Sequence, residues 1–147
     1  MNQEARMGEY GDIRQGFLDE RDRILDALIQ GENRDIVLRL IGALAFRTHC
    51  LQFGYLQEAL GRQFTDIDFV AYSRHFKGVI RLLTELGYQE DKMVTRLFGE
   101  GRLLFHDPTF GRHIDVFLDR LDFCHSVPLN GRLEADFPTM PLAELLM

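Results

Sequence analysis

The sequence lacks the features that mark secreted, membrane-spanning and broadly basic proteins. Its two cysteines, Cys50 and Cys124, are too few and too isolated for a disulfide framework or a zinc site, so reduced thiols in the cytoplasm are expected. No apolar run approaches the length of a membrane span, and the polar N-terminus does not resemble a signal peptide. Acidic residues outnumber lysine and arginine by 23 to 17, and the net charge of −6 argues against an overall field that attracts nucleic acid.

The composition is that of a globular domain. Hydrophobic residues make up 46% and charged residues 27%, which are ordinary values for such a domain. A chain of 147 residues is long enough to bury one proper core. We interpret residues 1–34 as an N-terminal helical extension and residues 35–147 as one further domain.

Helical periodicity marks two segments. From Ile13 to Ile29, apolar residues recur at three-, four- and seven-residue spacings, which predicts an amphipathic helix ended by the sequence after Gly31. Packing or dimer formation is the expected role of this helix. A second amphipathic helix is predicted from Ser73, as its N-cap, to Leu86.

Shorter apolar runs predict strands. Asp35–Ile41 is predicted to be a buried strand that ends at Gly42, and a helix is predicted over Leu44–Leu60. Further along, Thr95–Phe98 and Arg102–Phe105 flank the sequence Gly-Glu-Gly, which is a signal for a β-hairpin.

The C-terminal part predicts one more strand and the start of a helix. Ser126–Leu129 is predicted to be a short edge strand, because proline favours edges. Pro138–Pro141 predicts the beginning of a helix with Thr139 as its N-cap. This apolar helical pattern stops at Met147, so a longer natural chain is expected.

Three aspartates lie within apolar stretches of strand type, although aspartate is depleted in strands. Because alternate residues of a strand share a face, Asp66 and Asp68 project together, and so do His113 and Asp115. Strands laid side by side would gather three carboxylates above an apolar underside, where their like charges repel. A hard, oxygen-preferring cation such as Mg2+ removes this repulsion.

Gly42 and Ala43 stand between the first predicted strand and the next predicted helix. A strand, small residues and a helix form a layout that points backbone N–H groups at an anion. A plain tight turn is the alternative interpretation.

In this order, the segments resemble the nucleotidyltransferase superfamily of DNA polymerase β-like folds. They are most similar to the small bacterial branch that includes abortive-infection and toxin-type enzymes. The resemblance implies an α/β (α+β) fold, with a short, mixed, twisted sheet, helices on one face and a carboxylate patch open on the other. It assigns catalysis and magnesium binding to Asp66, Asp68 and Asp115, and nucleotide binding to Gly42 and Ala43.

The function that the resemblance implies is magnesium-dependent transfer of a nucleoside monophosphate from a nucleoside triphosphate. The acceptor stays open among an RNA end, a protein hydroxyl and a small molecule. A homodimer or an antitoxin-like protein partner, a helical C-terminal part and no membrane association are also expected. The alternative is a catalytically silent nucleotide-binding or protein-interaction module on the same fold.

Basic side chains are needed to neutralise a triphosphate. Equally, they could pair with the aspartates on a solvated sheet face, which is the structural alternative to a metal site. The candidates are Arg62, Arg74, Lys77, Arg102 and Arg112.

Overall fold

A five-stranded mixed sheet is the centre of the computed structural model, which describes residues 16, 18–42, 45, 66–108, 112–122, 126–134 and 137–141. Its strands stand in the order β1-β2-β5-β4-β3, with β2 parallel to β5 and the other neighbours antiparallel. The strand bounds are β1 Leu38–Ile41, β2 Asp66–Ala71, β3 Gln89–Glu90, β4 Arg102–His106 and β5 His113–Leu118. This arrangement confirms a mixed fold of helices and strands.

Two helices cover one face of the sheet. Helix α1 spans 18–28 and helix α2 spans Phe76–Glu85. Both contribute apolar side chains to the main core, where they meet alternate residues of four strands. Fully buried members of this core include Ile24, Leu38, Leu40, Ile67, Phe69, Val79, Leu83, Leu103, Phe105, Ile114 and Val116. The predicted apolar underside of the two aspartate strands is therefore confirmed.

The opposite face of the sheet is only partly open, which corrects the expectation of one exposed patch. The chain that follows β5 forms a small antiparallel sheet of two strands, β6, Arg120–Asp122, and β7, Ser126–Pro128. Residues of this segment and of the chain after it form a second core against the sheet. Its buried members are Ile41, Val70, Tyr72, Leu121, Leu129, Leu133 and Met140. This second core forms because Val70 follows Asp68 by two positions and lies on the same face of β2. The face therefore changes from acidic to apolar along the strand, and its apolar part is buried by the following chain.

The predicted hairpin around Gly99 is wrong. Helix α3, Lys92–Phe98, occupies its first arm, and the strand that pairs with β4 is β3 instead. Asp91 starts this helix, because its Oδ1 accepts hydrogen bonds from the backbone N–H groups of Met93 and Val94. Such an N-cap satisfies donors that have no partner within the helix, and it overrides the β-type appearance of the sequence.

Three other predictions differ from the structure or fall outside it. Ser73 belongs to a 3₁₀ turn before α2, and its backbone N–H donates to Asp119 at 2.8 Å. Thr139 forms a parallel bridge with Leu40, and the described chain up to Pro141 is not helical. The helix predicted over Leu44–Leu60 lies outside the described residues except for Ala45, as does the chain after Pro141.

Helix α1 is anchored to the sheet by a buried polar cluster. Glu20 accepts from the Tyr88 hydroxyl at 2.8 Å and from Arg112 Nη1 at 2.7 Å. The side chains of Glu20 and Arg112 are only 11% and 14% exposed, so removing either would leave a buried charge. Burial raises the pKa of Tyr88, and its hydrogen bond to Glu20 adds to the effect, which keeps the hydroxyl protonated as a donor.

His75 gives the fold a dependence on pH. Its Nδ1 accepts a hydrogen bond from the backbone N–H of Val37 at 3.0 Å, which requires that nitrogen to be unprotonated. Burial, with a smaller effect from the Arg74 guanidinium, lowers the pKa of His75 below its usual 6.5. The unfolded chain therefore takes up this proton at a higher pH than the folded chain, and the free energy of unfolding falls as the pH drops below 6.5.

We expect the protein to lose more stability between about pH 7.5 and about pH 5.5 than a His75→Asn variant does. Asparagine has an oxygen that can accept from Val37 and does not titrate. Urea unfolding of both proteins at the two pH values measures the difference. An equal loss in the two proteins would show that His75 does not carry this pH dependence.

Candidate functional site

Strands β2 and β5 bring two of the three predicted catalytic carboxylates together. In this parallel pair Asp68 is the direct partner of Asp115, and Asp66 is the partner of His113. Asp115 is buried and Asp68 is half-buried. The side chain of Asp66 lies outside the described part, so its position is known only from the backbone pairing. The predicted adjacency of the two aspartate strands is thus confirmed.

The end of β1 lies against the same carboxylates. Ile41, the last residue of β1, pairs with Asp68, and Gly42 follows it with a positive φ of 71°. A Cβ atom on Gly42 would lie 3.3 Å from Oδ2 of Asp68. Glycine adopts this backbone conformation without strain, and it lets the main chain approach the carboxylate closely. Ala43, the second predicted nucleotide-binding residue, lies outside the described residues.

Arg102 supplies positive charge at this site. Its Nε donates to Oδ1 of Asp115 at 2.7 Å, and its Nη2 lies 2.7 Å from the same oxygen. The Asp115 side chain is 11% exposed and the Arg102 side chain is 43% exposed. Arg102 starts β4, and its partner across the strands is Phe117, two positions after Asp115. The pairing register therefore brings this guanidinium to the carboxylate.

The other basic candidates that the structure describes are placed elsewhere. Nη2 of Arg74 lies 3.6 Å from Oε1 of Glu134, and Cζ of Arg74 lies 4.2 Å from the centre of the Tyr72 ring. Arg112 is part of the buried cluster that anchors α1. Lys77 is an exposed residue of α2, the helix that packs on the other face of the sheet. Arg62 lies outside the described residues.

His106 lies near the site and was missed in the sequence, where only His113 was placed on the same face as Asp115. The rings of His106 and His113 meet edge to face with 4.6 Å between centroids, and His106 Nε2 lies 3.1 Å from Oδ2 of Asp91. The hydrogen bond to His106, with help from the backbone N–H of Val94, lowers the pKa of Asp91. His106 is the cross-strand partner of His113. Only the pairing of β4 with β5 reveals this, because the two histidines form no sequence motif.

Carboxylate oxygens are the type of ligand that Mg2+ prefers. Among the side chains that the structure describes, no cluster of three or more His, Cys, Asp or Glu is placed to hold a metal ion. Asp68 and Asp115 supply oxygen ligands on neighbouring strands, with the Gly42 backbone beside them. Magnesium suits such a site, since it is usually held by one or two carboxylates and completes its shell with water and phosphate oxygens.

The comparisons with known proteins found no relative: no family model, curated protein or solved structure matches the chain. Across the described residues, no helix combines the length and the apolar character that crossing a membrane requires. The resemblance to nucleotidyltransferases therefore stays an expectation from the sequence motifs.

Proposed function

We propose that the protein is a magnesium-dependent nucleotidyltransferase. The observation that carries the proposal is the direct pairing of Asp68 with Asp115 on parallel strands, with Gly42 against Asp68. Aspartates in adjacent central strands serve the fold poorly, so a role for their charge is the better explanation.

Each residue has a defined part in this reaction. Asp68 and Asp115 would hold the cation, with Asp66 as the third ligand that the sequence predicts. Bound there, Mg2+ would offset the charge on the oxygens of the α-phosphate and on the leaving pyrophosphate. The acceptor oxygen bonds to the α-phosphorus as the bond to pyrophosphate breaks, and Asp115 assists removal of the acceptor proton. Gly42 and Ala43 offer backbone N–H groups to the phosphates.

A catalytically silent module on the same fold is the second candidate. The ion pair between Arg102 and Asp115 favours it, because a carboxylate with an arginine partner is stable without a metal. In that case the fold would bind a nucleotide or a protein without transferring anything. The identity of the acceptor, among an RNA end, a protein hydroxyl and a small molecule, is left open by this proposal. A homodimer or an antitoxin-like protein partner, and a domain boundary at residue 35, are further proposals.

Calorimetric titration with each of the four ribonucleoside triphosphates, with Mg2+ or with EDTA, tests the proposal. We expect binding to weaken at least about tenfold without the cation, which corresponds to about 1.4 kcal/mol. Incubation with an α-labelled triphosphate and total RNA or protein then tests transfer. Binding of equal strength with Mg2+ and with EDTA, and without transfer, would favour the silent module.

A further inference from the structure

We propose that Arg102 is an internal counter-ion of Asp115, which the divalent cation displaces, and that the released guanidinium then binds phosphate oxygens of the nucleoside triphosphate. This inference rests on the proposed function and adds a residue to it. It gives one side chain two successive partners, a carboxylate without the cation and a phosphate with it.

The first step follows from the contacts of Asp115. Both Nε and Nη2 of Arg102 lie 2.7 Å from the single oxygen Oδ1, so the guanidinium already offsets the negative charge on that oxygen. Asp115 is nearly buried, and a nearly buried carboxylate needs a positive partner. A cation and Arg102 therefore compete for the same negative charge.

The second step follows from the exposure of Arg102. With 43% of its side chain exposed, the guanidinium can leave Asp115 without opening the core. A divalent cation on Asp115 would also repel it, since the two positive charges would lie within a few ångströms. The Phe117 ring, whose centre is 5.9 Å from Cζ of Arg102, keeps an aromatic surface beside the arginine.

The third step follows from the chemistry of the guanidinium group and from the positions of the other basic side chains. Arginine donates two parallel hydrogen bonds to phosphate oxygens, which a lysine cannot do. Arg102 contacts Asp115, a predicted catalytic carboxylate, whereas Arg74 lies beside Glu134 and Arg112 beside Glu20. A triphosphate held at Asp68 and Asp115 would therefore lie within reach of Arg102.

Calorimetry on the full chain tests the inference, with Mn2+ as a probe cation in the absence of nucleotide and ATP as a probe at saturating cation. For Arg102→Gln we expect cation affinity to rise about tenfold, because the cation no longer competes with a positive partner of Asp115 and is no longer repelled by it. We expect ATP affinity at saturating cation to fall about tenfold or more, the usual value of a hydrogen bond to a charged group. The two affinities change in opposite directions. A residue that only supported the fold of the site would weaken the binding of both ligands.

Two further variants complete the design. Arg102→Lys keeps the positive charge, so cation affinity should stay near that of the parent protein while ATP affinity falls. It also serves if Arg102→Gln does not fold, as judged by circular dichroism. Arg81→Gln, on the exposed side of α2 and so on the other face of the sheet, removes an equal charge away from the site and should change neither affinity.

The outcomes separate the inference from the proposed function. If the parent protein binds Mn2+ and Mg-ATP but Arg102→Gln binds the cation no more tightly, Arg102 is not a counter-ion and the inference is wrong. If Arg102→Gln weakens both ligands, Arg102 only supports the fold of the site, which also overturns it. If neither protein binds a cation, the proposed function fails and the inference fails with it.

Discussion

Replacing Asp68 with asparagine should lower magnesium-dependent transfer by at least about 100-fold, the effect of removing one charge-stabilising group from an active site. The amide keeps the shape of the side chain and loses the charge that holds the cation. It also relieves repulsion between Asp68 and its direct partner, Asp115. The free energy of unfolding without metal should therefore stay within about 1 kcal/mol of the parent value or rise slightly.

Transfer assays and thermal unfolding in EDTA, on the same preparations, measure both effects. Asp26→Asn, on the exposed side of α1, removes the same charge away from the site and should leave activity and stability unchanged. Asp66→Asn is expected to behave as Asp68→Asn does. If the asparagine variants at 66 and 68 unfold several degrees earlier without metal, the carboxylates serve the fold, and the catalytic proposal should be abandoned.

The substitution Phe69→Ala, at the residue next to Asp68, should instead lower the stability of the fold. Phe69 is fully buried in the main core on the inner strand β2, and it points away from the face that carries Asp68. Truncating a buried phenylalanine removes apolar contacts and leaves a cavity, which costs about 3–5 kcal/mol. For a domain of this size, the melting temperature should fall by roughly 10 °C or more.

Phe98→Ala is the matched control for this prediction. Phe98 is the same residue type, but it is 58% exposed at the end of α3. Its truncation should change the free energy of unfolding by no more than about 0.5 kcal/mol. Urea unfolding of the three proteins measures the effects. Equal stability of Phe69→Ala and Phe98→Ala would mean that the main core does not depend on the inner face of β2.

Strand periodicity predicted the part of the fold that depends on local pattern. The alternation in Asp66–Ala71 and His113–Leu118 indicated which residues face the core, and the structure buries Ile67, Phe69 and Ile114 accordingly. The spacing of apolar residues in α2 was equally informative, since Val79 and Leu83 are buried. Both patterns persist over several residues, so a single polar position does not hide them.

What could not be predicted depends on pairings between distant segments. The contact of Arg102 with Asp115 depends on the register of β4 against β5. The cover over Val70 is provided by a chain segment that follows β5, and no local pattern reveals that contact. Helix α3 was missed for a different reason, because one capping side chain, Asp91, decided between two conformations that the sequence supports.

The strand order also has a consequence for how the protein reaches this structure. Strand β5 is the last of the five sheet strands along the chain, yet it lies between β2 and β4. A nascent chain that has emerged only as far as Pro108 therefore holds two strands whose inner edges await a partner. Closing that gap is a contact between distant segments, which is slow, and strand edges left open invite pairing with other chains. We infer that Asp115 enters the site in the same step that completes the sheet, so a partly folded chain has neither the closed sheet nor the carboxylate pair.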